Sequence, residues 1–245
     1  AAGGYAGITA YLAEVHTHRV FTRSHVLPRE LANQMELRGW TTGWVDQLMA
    51  QPAMAGHSLD LERFAQGRYI LSGAQYAPDS GRLSGSAKTQ IAARPPFALE
   101  SPELRALVLG TKADVMRMVG GLGFNPLGRP PKSAPVALVR PLGFSEPRFD
   151  ELHQELSFDI HVGADMQLPV RLGYQAHRAG YFDALEQLVR AEVLPSSLLV
   201  KVRLEGRGLA LEPLTAWFGK HPSHLTHRPL TASQLANLEQ RKLDR

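Results

Sequence analysis

Histidines and arginines are concentrated in residues 16–25, which read His-Thr-His-Arg-Val-Phe-Thr-Arg-Ser-His. Imidazoles titrate near pH 7 and can move protons, whereas guanidinium groups stay charged and match two oxygens of a phosphate. Only two acids, Glu30 and Glu36, follow in the adjoining stretch up to Arg38. Because unpaired charge is costly to bury, this composition predicts a surface that meets a phosphate-rich ligand.

Arg38 is a candidate because of its position on a predicted helix over residues 28–38. It follows Leu31 by one heptad and Met35 by three residues, so it shares their apolar face. A charge there must reach solvent, pair with an acid or meet an anionic ligand. The alternative is a favourable interaction of a helix-end arginine with the helix dipole.

Two histidines lie in a stretch, residues 6–21, that reads as extended, and Arg23 follows it. Arg23 lies just past that predicted strand, where an exposed side chain can be directed at a ligand. His16 and His18 are two residues apart and share one strand face. They are either surface or structurally satisfied histidines, or groups for acid–base chemistry near pH 7.

Three later histidines, His221, His224 and His227, have a spacing that could serve zinc. Pro222 interrupts a helix there and Arg228 adds a repelling charge, so a solvated basic loop is the favoured interpretation. The carboxylates are scattered, with no pair that indicates glycosidase or two-metal chemistry. The sequence therefore predicts no metal and no cofactor.

The composition narrows the possible classes of protein. The 245 residues carry a net charge of +4, a pI of about 9.5 and far more arginine than lysine. This balance favours nucleic acid or another anionic partner. The sequence holds no cysteine, which excludes disulfides and thiolate chemistry. With no apolar run of membrane-spanning length and no leader-like start, the sequence predicts a soluble, cytoplasmic protein without a membrane partner.

After the histidine-rich opening, the first half is predicted to contain a long loop and then a helix. Residues 72–96 are rich in Gly, Ser, Ala and Pro and predict a long basic loop. A helix is then predicted from Pro102 to Val119, with Ser101 as N-cap. Residues 123–132 contain three prolines and predict a linker, which places domains at 1–132 and 133–245.

The second half alternates apolar and polar residues cleanly. Strands are predicted around residues 156–162, 168–174 and 198–204, and a helix with Tyr181 and Leu185 on its buried face. A further hairpin strand is predicted at 209–211. The order strand, strand, helix, strand, strand fits an α+β sandwich of the ferredoxin-like type.

The basic opening with Arg23 and Arg38, the basic middle segment and the alternating second half together resemble the type IV CRISPR crRNA-processing endoribonucleases, which are repeat-cleaving RAMP proteins. The resemblance implies an α+β protein of two ferredoxin/RRM-like halves with a helical, basic insertion, the finger. It implies metal-independent cleavage of precursor crRNA at the base of a repeat stem-loop, with the product retained. The C-terminal glycine-rich loop of such proteins is reduced here to Gly206-Arg207-Gly208.

In such a reaction the RNA 2′-OH attacks the adjacent phosphate, and the protein supplies alignment and positive charge. Arg23 and Arg38 are the expected catalytic residues, with Arg241 as a third candidate and His16 or His18 as possible helpers. RNA binding is expected from His16, His18, Arg19, Arg82, Lys88, Arg94, Arg117, Arg129 and Lys132.

The expected partners are a crRNA repeat hairpin and other subunits of a CRISPR effector complex. Two other interpretations stay open. One is a non-catalytic RNA-binding subunit of a ribonucleoprotein complex, and the other is a basic metabolic enzyme that uses the His221, His224 and His227 cluster.

Overall fold

The computed structural model describes residues 4–17, 19–37, 43–78, 80–95, 98–121, 135–175, 178–191, 193–205, 208–219 and 221–225. The chain forms two compact units, residues 1–106 and 107–245. The expected linker, residues 123–132, and the expected boundary after residue 132 lie outside the described residues.

Among its described residues, the first unit contains three two-stranded sheets, β1–β2, β3–β6 and β4–β5, and three short helices. Its elements in chain order are β1 (Tyr5–Ala13), β2 (Val20–Pro28), α1 (Arg29–Leu37), α2 (Gly43–Met49), α3 (Leu61–Gln66), β3 (Arg68–Ser72), β4 (Gln75–Tyr76), β5 (Leu83–Ser84) and β6 (Gln90–Arg94). The residues expected to form one strand, 6–21, are instead a hairpin that turns at residues 14–19, where the Glu14 N–H donates to the Arg19 carbonyl. The expected loop 72–96 contains β4, β5 and β6.

A small apolar cluster holds this unit together. Ala53, Met54, Phe64 and Leu83 are buried, and Phe21 is among the residues that pack against them. The N-cap of α3 is Asp60, whose carboxylate accepts from the Arg63 N–H at 2.7 Å. Burial of a large apolar side chain contributes about 1.5–3 kcal/mol, so a few such residues stabilise these short elements.

The helix expected from Pro102 to Val119 is interrupted. Residues Pro102–Leu107 form a 3₁₀ helix, strand β7 (Val108–Leu109) follows, and α4 (Lys112–Gly121) begins after a new cap. There the Thr111 N–H donates to the Asp114 carboxylate, and the Asp114 N–H donates back to the Thr111 hydroxyl. This reciprocal capping starts a second helix where the apolar periodicity predicted a continuous one.

The second unit is built on one large sheet. Its remaining elements are β8 (Val136–Val139), β9 (Gly143–Phe144), β10 (Arg148–Asp150), β11 (Glu155–Val162), β12 (Met166–Gly173), α5 (Ala179–Val189), β13 (Ser197–Glu205), β14 (Gly208–Phe218) and β15 (His221–His224). The strand order is β10-β11-β12-β14-β13-β8-β7, with β12 and β14 parallel.

The sheet curls back on itself through residues 136–145. Their first part, β8, pairs with β13, and their second part, β9, pairs with β11. The Leu142 N–H donates to the His161 carbonyl and the Ser145 N–H to the Asp159 carbonyl, which extends the second pairing. One bent segment thus joins both ends of the series β11-β12-β14-β13.

The alternating residues of the second unit form its core. Apolar side chains of β11, β12, β13 and β14 pack together with α5, including the fully buried Ile160, Val170 and Leu211. The expected strands at 156–162, 168–174 and 198–204 and the helix with Tyr181 and Leu185 buried are confirmed. Alternation predicts these elements because one face of each strand must be apolar.

The expected architecture of two ferredoxin/RRM-like halves is wrong. The first unit has only two-stranded sheets among its described residues, and the second has a curled sheet in which one bent strand contacts both β11 and β13. Alternation shows which face of a strand is buried but not which strand lies beside it. Within the described part of the chain, no helix is long and apolar enough to cross a membrane.

Candidate nucleic-acid interface

Arg23 lies on the inner face of the β1–β2 hairpin and is partly buried. Its Nε donates to the Ala53 carbonyl at 2.7 Å and its Nη1 donates to the Leu83 carbonyl at 3.3 Å. Burial, with a smaller contribution from nearby Arg82, lowers the pKa of Arg23 below its ordinary value. The guanidinium therefore ties β2 to two other segments of its own unit.

The other expected RNA-binding residues of the first unit are distributed over several elements. Arg82 is exposed and lies near Arg23, where the Thr22 N–H donates to the Gly81 carbonyl. His16 and Arg19 are exposed in the β1–β2 turn, so His16 is not on the expected strand face, and His18, which was expected to share that face, lies outside the described residues. Lys88 lies just before β6, and Arg94 lies opposite Arg68 in the β3–β6 pair. The expected residues thus do not form one described cluster, although Arg23 and Arg82 are neighbours.

In the second unit, Arg117 of α4 forms an ion pair with Asp114 at 3.0 Å. His224 shares a hydrogen bond with the Thr215 hydroxyl at 3.2 Å. No group of three His, Cys, Asp or Glu residues that could hold a metal occurs among the residues that the structure describes. The remaining candidates, His18, Arg38, Arg129, Lys132, His227 and Arg241, lie outside the described residues, as does the side chain of His221.

Two arginines that the sequence did not single out lie in one row on the same face of three neighbouring strands of the second unit. Arg148 of β10 is opposite Ser157 of β11, and Ser157 is opposite Arg171 of β12. Both arginines are exposed, and in the described part of the chain neither side chain forms a hydrogen bond or ion pair. Neighbouring strands are about 4.8 Å apart, so the two Cα atoms are roughly 10 Å apart. Their guanidinium groups are available to a ligand.

These arginines line a shallow groove on the face opposite the core, hereafter the β11–β12 groove. It is lined by Ser145, Glu146, Arg148, Ser157, Phe158, Asp159, Pro169, Val170 and Arg171. The side chains of Phe158 and Val170 are buried on the core side. The groove thus presents two guanidinium groups, two hydroxyls and two carboxylates, and its described lining contains no exposed aromatic ring.

Asp159 and Glu146 contribute the two carboxylates. Neither carboxylate forms an ion pair or hydrogen bond with any residue that the structure describes. The backbone of Asp159 is held by Ser145, whose Oγ accepts from the Asp159 N–H at 2.8 Å and whose N–H donates to the Asp159 carbonyl at 2.9 Å. The position of Asp159 in the groove is therefore well defined.

Arg203 of β13 supports the strand that carries Arg171. Its Nη2 donates to the backbone carbonyl of Arg171 and lies 3.4 Å from the Glu205 carboxylate. Because this contact involves only the backbone carbonyl of Arg171, it leaves the Arg171 guanidinium available to a ligand. Arg178, in the same unit, is paired with Glu212 at 2.6 Å, and its charge is therefore compensated.

The turn from β10 to β11 carries an ion pair between Asp150, the last residue of β10, and His153. The Asp150 carboxylate accepts from the backbone N–H groups of Leu152 and His153 and contacts His153 Nδ1 at 2.7 Å. The hydrogen bond to Asp150 raises the pKa of His153, and the same bond lowers the pKa of Asp150. Leu152, at the same turn, is 87% exposed.

The signal that could have found the groove was present in the sequence. Ser157, Asp159 and Arg171 occupy the outward positions of two strands that the alternation predicted. Strands joined by a short turn pair in antiparallel register, which places outward residues on one surface. Arg148 could not be found this way, because β10 is only three residues long.

Comparison with known families gives a match in the second unit. Residues 134–242 match the model of the family described as the YehQ C-terminal OB-fold domain. Comparison with curated proteins and with solved structures finds no match.

An OB-fold is a partly open, five-stranded Greek-key barrel. The bent segment β8–β9 and strands β11, β12, β13 and β14 provide five such strands, with α5 between the third and fourth. The family match and this strand order contradict the expected ferredoxin-like second half: residues 134–242 are similar to an OB-fold domain.

Proposed function

We propose that the second unit binds single-stranded nucleic acid in the β11–β12 groove, with Arg148 and Arg171 contacting phosphates. OB-folds bind oligonucleotides and oligosaccharides on the face of their second and third strands and through neighbouring loops. Here those strands are β11 and β12, and the groove lies on that face. The observation that carries the proposal is the row Arg148–Ser157–Arg171 at this location.

The two guanidinium groups of the row favour nucleic acid over a neutral oligosaccharide, because phosphates are the ligand groups that they match. A guanidinium group offers two parallel donors to a phosphate and stays charged at every physiological pH. Two such groups on the strands that flank β11, with Cα atoms roughly 10 Å apart, suit an extended polyanion better than an uncharged sugar chain. With no exposed aromatic ring in the described lining, we expect affinity to depend mainly on charge.

Cleavage of RNA is a separate prediction that the resemblance supplies. Of its three expected catalytic residues, only Arg23 lies among the described residues, and two of its donors are bonded to carbonyls. The β11–β12 groove lies in the other unit. We propose binding without cleavage, as in a non-catalytic subunit of a ribonucleoprotein, because the row of arginines in the groove accounts for binding alone.

The test is a titration of the full chain with fluorescent single strands of about 12 nucleotides, which is within the site size of OB-folds. RNA and DNA strands of one sequence, a duplex and a neutral oligosaccharide are compared by anisotropy. We expect both single strands to bind, and the R148A/R171A variant to lose most of that binding. Absence of binding in low salt, or unchanged binding by this variant, would show the proposal to be wrong.

The same samples test cleavage. RNA incubated with the protein and a chelator is separated on a denaturing gel. A discrete product that disappears in Arg23→Ala would support the expected metal-independent nuclease. Intact RNA together with tight binding would support the non-catalytic function.

A further inference from the structure

Asp159 is an unexpected residue for a groove that holds a phosphate chain. Its carboxylate shares the groove with Arg148 and Arg171 but is not paired with either of them. A negative charge there repels phosphates and weakens the binding that the arginines provide. Since Asp159 does not neutralise an arginine, we expect its carboxylate to contact a part of the ligand other than the phosphates.

The geometry around Asp159 suits recognition of a ligand group. Ser145 holds both the N–H and the carbonyl of Asp159, at 2.8 Å and 2.9 Å. Pro169, directly opposite on β12, presents an apolar ring beside it. Because the backbone of Asp159 is already fixed, only its side chain needs to be ordered when a ligand binds.

The chemistry of a carboxylate then restricts which base it accepts. An ionised carboxylate only accepts hydrogen bonds, and it can accept two side by side. In a single strand the Watson–Crick edges of the bases are available. The edge of guanine offers two adjacent donors, its N1–H and its N2 amino group. Cytosine and adenine each offer one amino group, and uracil offers one N–H between two carbonyls that repel a carboxylate.

We infer that the β11–β12 groove selects guanine over uracil, with the Asp159 carboxylate accepting from the guanine edge while Arg148 and Arg171 contact the backbone. Glu146, the second carboxylate of the groove, adds to the exclusion of uracil. The inference rests on the proposed binding of single-stranded nucleic acid. It identifies Asp159 as the residue that determines specificity.

The experiment uses four RNA strands of about 12 nucleotides. One is all uracil, and in the others every third uracil is replaced by guanine, cytosine or adenine, which avoids guanine runs. A good bidentate base contact discriminates by at least about tenfold. We therefore expect the full chain to bind the guanine strand about tenfold more tightly than the uracil strand, with the other two between them.

The informative variant is Asp159→Asn, which keeps the shape of the side chain and leaves the backbone contacts to Ser145 in place. Its guanine preference should fall below about threefold, and its affinity for the uracil strand should rise because a negative charge is removed. Asp165→Asn is the matched control, since Asp165 is exposed in the β11–β12 turn and the change of charge is the same. This control should keep the full preference.

The outcomes separate the two proposals. If no strand binds, or if R148A/R171A binds normally, the proposed function fails. If the wild-type chain binds all four strands equally, or if Asp159→Asn keeps the guanine preference, the proposed function stands and the role of Asp159 is wrong. The wild-type comparison needs no variant, so a variant that does not fold leaves the inference open to refutation.

Discussion

Replacement of Arg171 by alanine should remove one phosphate contact and leave the fold intact. The Arg171 side chain is exposed and has no described partner, and Arg203 uses only the Arg171 carbonyl, which the substitution keeps. The expected effect is therefore on binding alone. Thermal unfolding of the variant should match that of the wild-type chain.

The size of the effect follows from counterion release. For a single strand, the slope of log K against log salt is about −0.7 for each phosphate neutralised. Loss of one contact should reduce the slope by about 0.7. Taking a contact as purely electrostatic and as having no effect at 1 M salt, its loss weakens binding about eightfold at 50 mM and about threefold at 200 mM. Loss of both Arg148 and Arg171 should reduce the slope by about 1.4.

Arg190→Ala is the control for net charge. Arg190, in the same unit, is paired with Glu186 at 2.8 Å and its side chain is 67% exposed, so the change of charge is equal but falls outside the groove. Anisotropy titrations at four salt concentrations give each slope. Equal slopes for Arg171→Ala and Arg190→Ala would refute the reasoning, because the effect would then come from total charge rather than from a contact.

Three further predictions concern the stability of the fold and the contact between Asp150 and His153 at the turn from β10 to β11. Arg23→Ala leaves two carbonyls without their donor and should lower the free energy of unfolding of the first unit by about 1–3 kcal/mol, measured by urea denaturation. Tyr181→Phe removes a buried hydrogen bond to the Pro213 carbonyl and should cost about 1–2 kcal/mol; an unchanged urea midpoint would contradict this. NMR titration should place the pKa of His153 above about 6.5, and Asp150→Asn should lower it towards that value.

The pH range in which Asp150 and His153 stabilise each other follows from the directions in which their pKa values are shifted. The pKa of His153 is raised, so its stabilising contact is fully present below about 6.5 and is lost as pH rises through the pKa in the folded protein. The pKa of Asp150 is lowered, so its contribution is present above about 3.9 and is lost as the protein is acidified. The two groups hold each other most strongly between these limits. An identical His153 titration in Asp150→Asn would contradict the contact.

The elements of the second unit could be predicted from the sequence, but their arrangement could not. Apolar residues at every second position identify β11, β12 and β13 because each of these strands has one face in the core. The closure of the sheet depends on residues 136–145, which pair with β13 in their first part and with β11 in their second. Nothing in the alternation of a strand specifies its neighbours, so a ferredoxin-like order and an OB-fold order fit the same pattern.

In the first unit the β1–β2 hairpin was not predicted from the sequence, for a different reason. Residues 14–19 of the β1–β2 turn contain no Gly, Pro, Asn or Asp, the residues by which turns are normally recognised. The stretch 6–21 therefore reads as one strand, and this placed His16 on a strand face together with His18. In the structure Glu14 and Arg19 close the turn through a backbone hydrogen bond, and His16 is exposed at its tip.

The two sets of arginines show why charge and spacing alone do not identify a binding site. Arg23 was a candidate because it followed a predicted strand, yet its guanidinium already donates to Ala53 and Leu83. No pattern in the sequence singled out Arg148 or Arg171, yet no described residue accepts a hydrogen bond from their guanidinium groups. A guanidinium group has five donors, and those bonded to the protein are not available to a phosphate. Two of the five Arg23 donors are bonded to the protein, whereas the donors of Arg148 and Arg171 in the β11–β12 groove are bonded to no described residue.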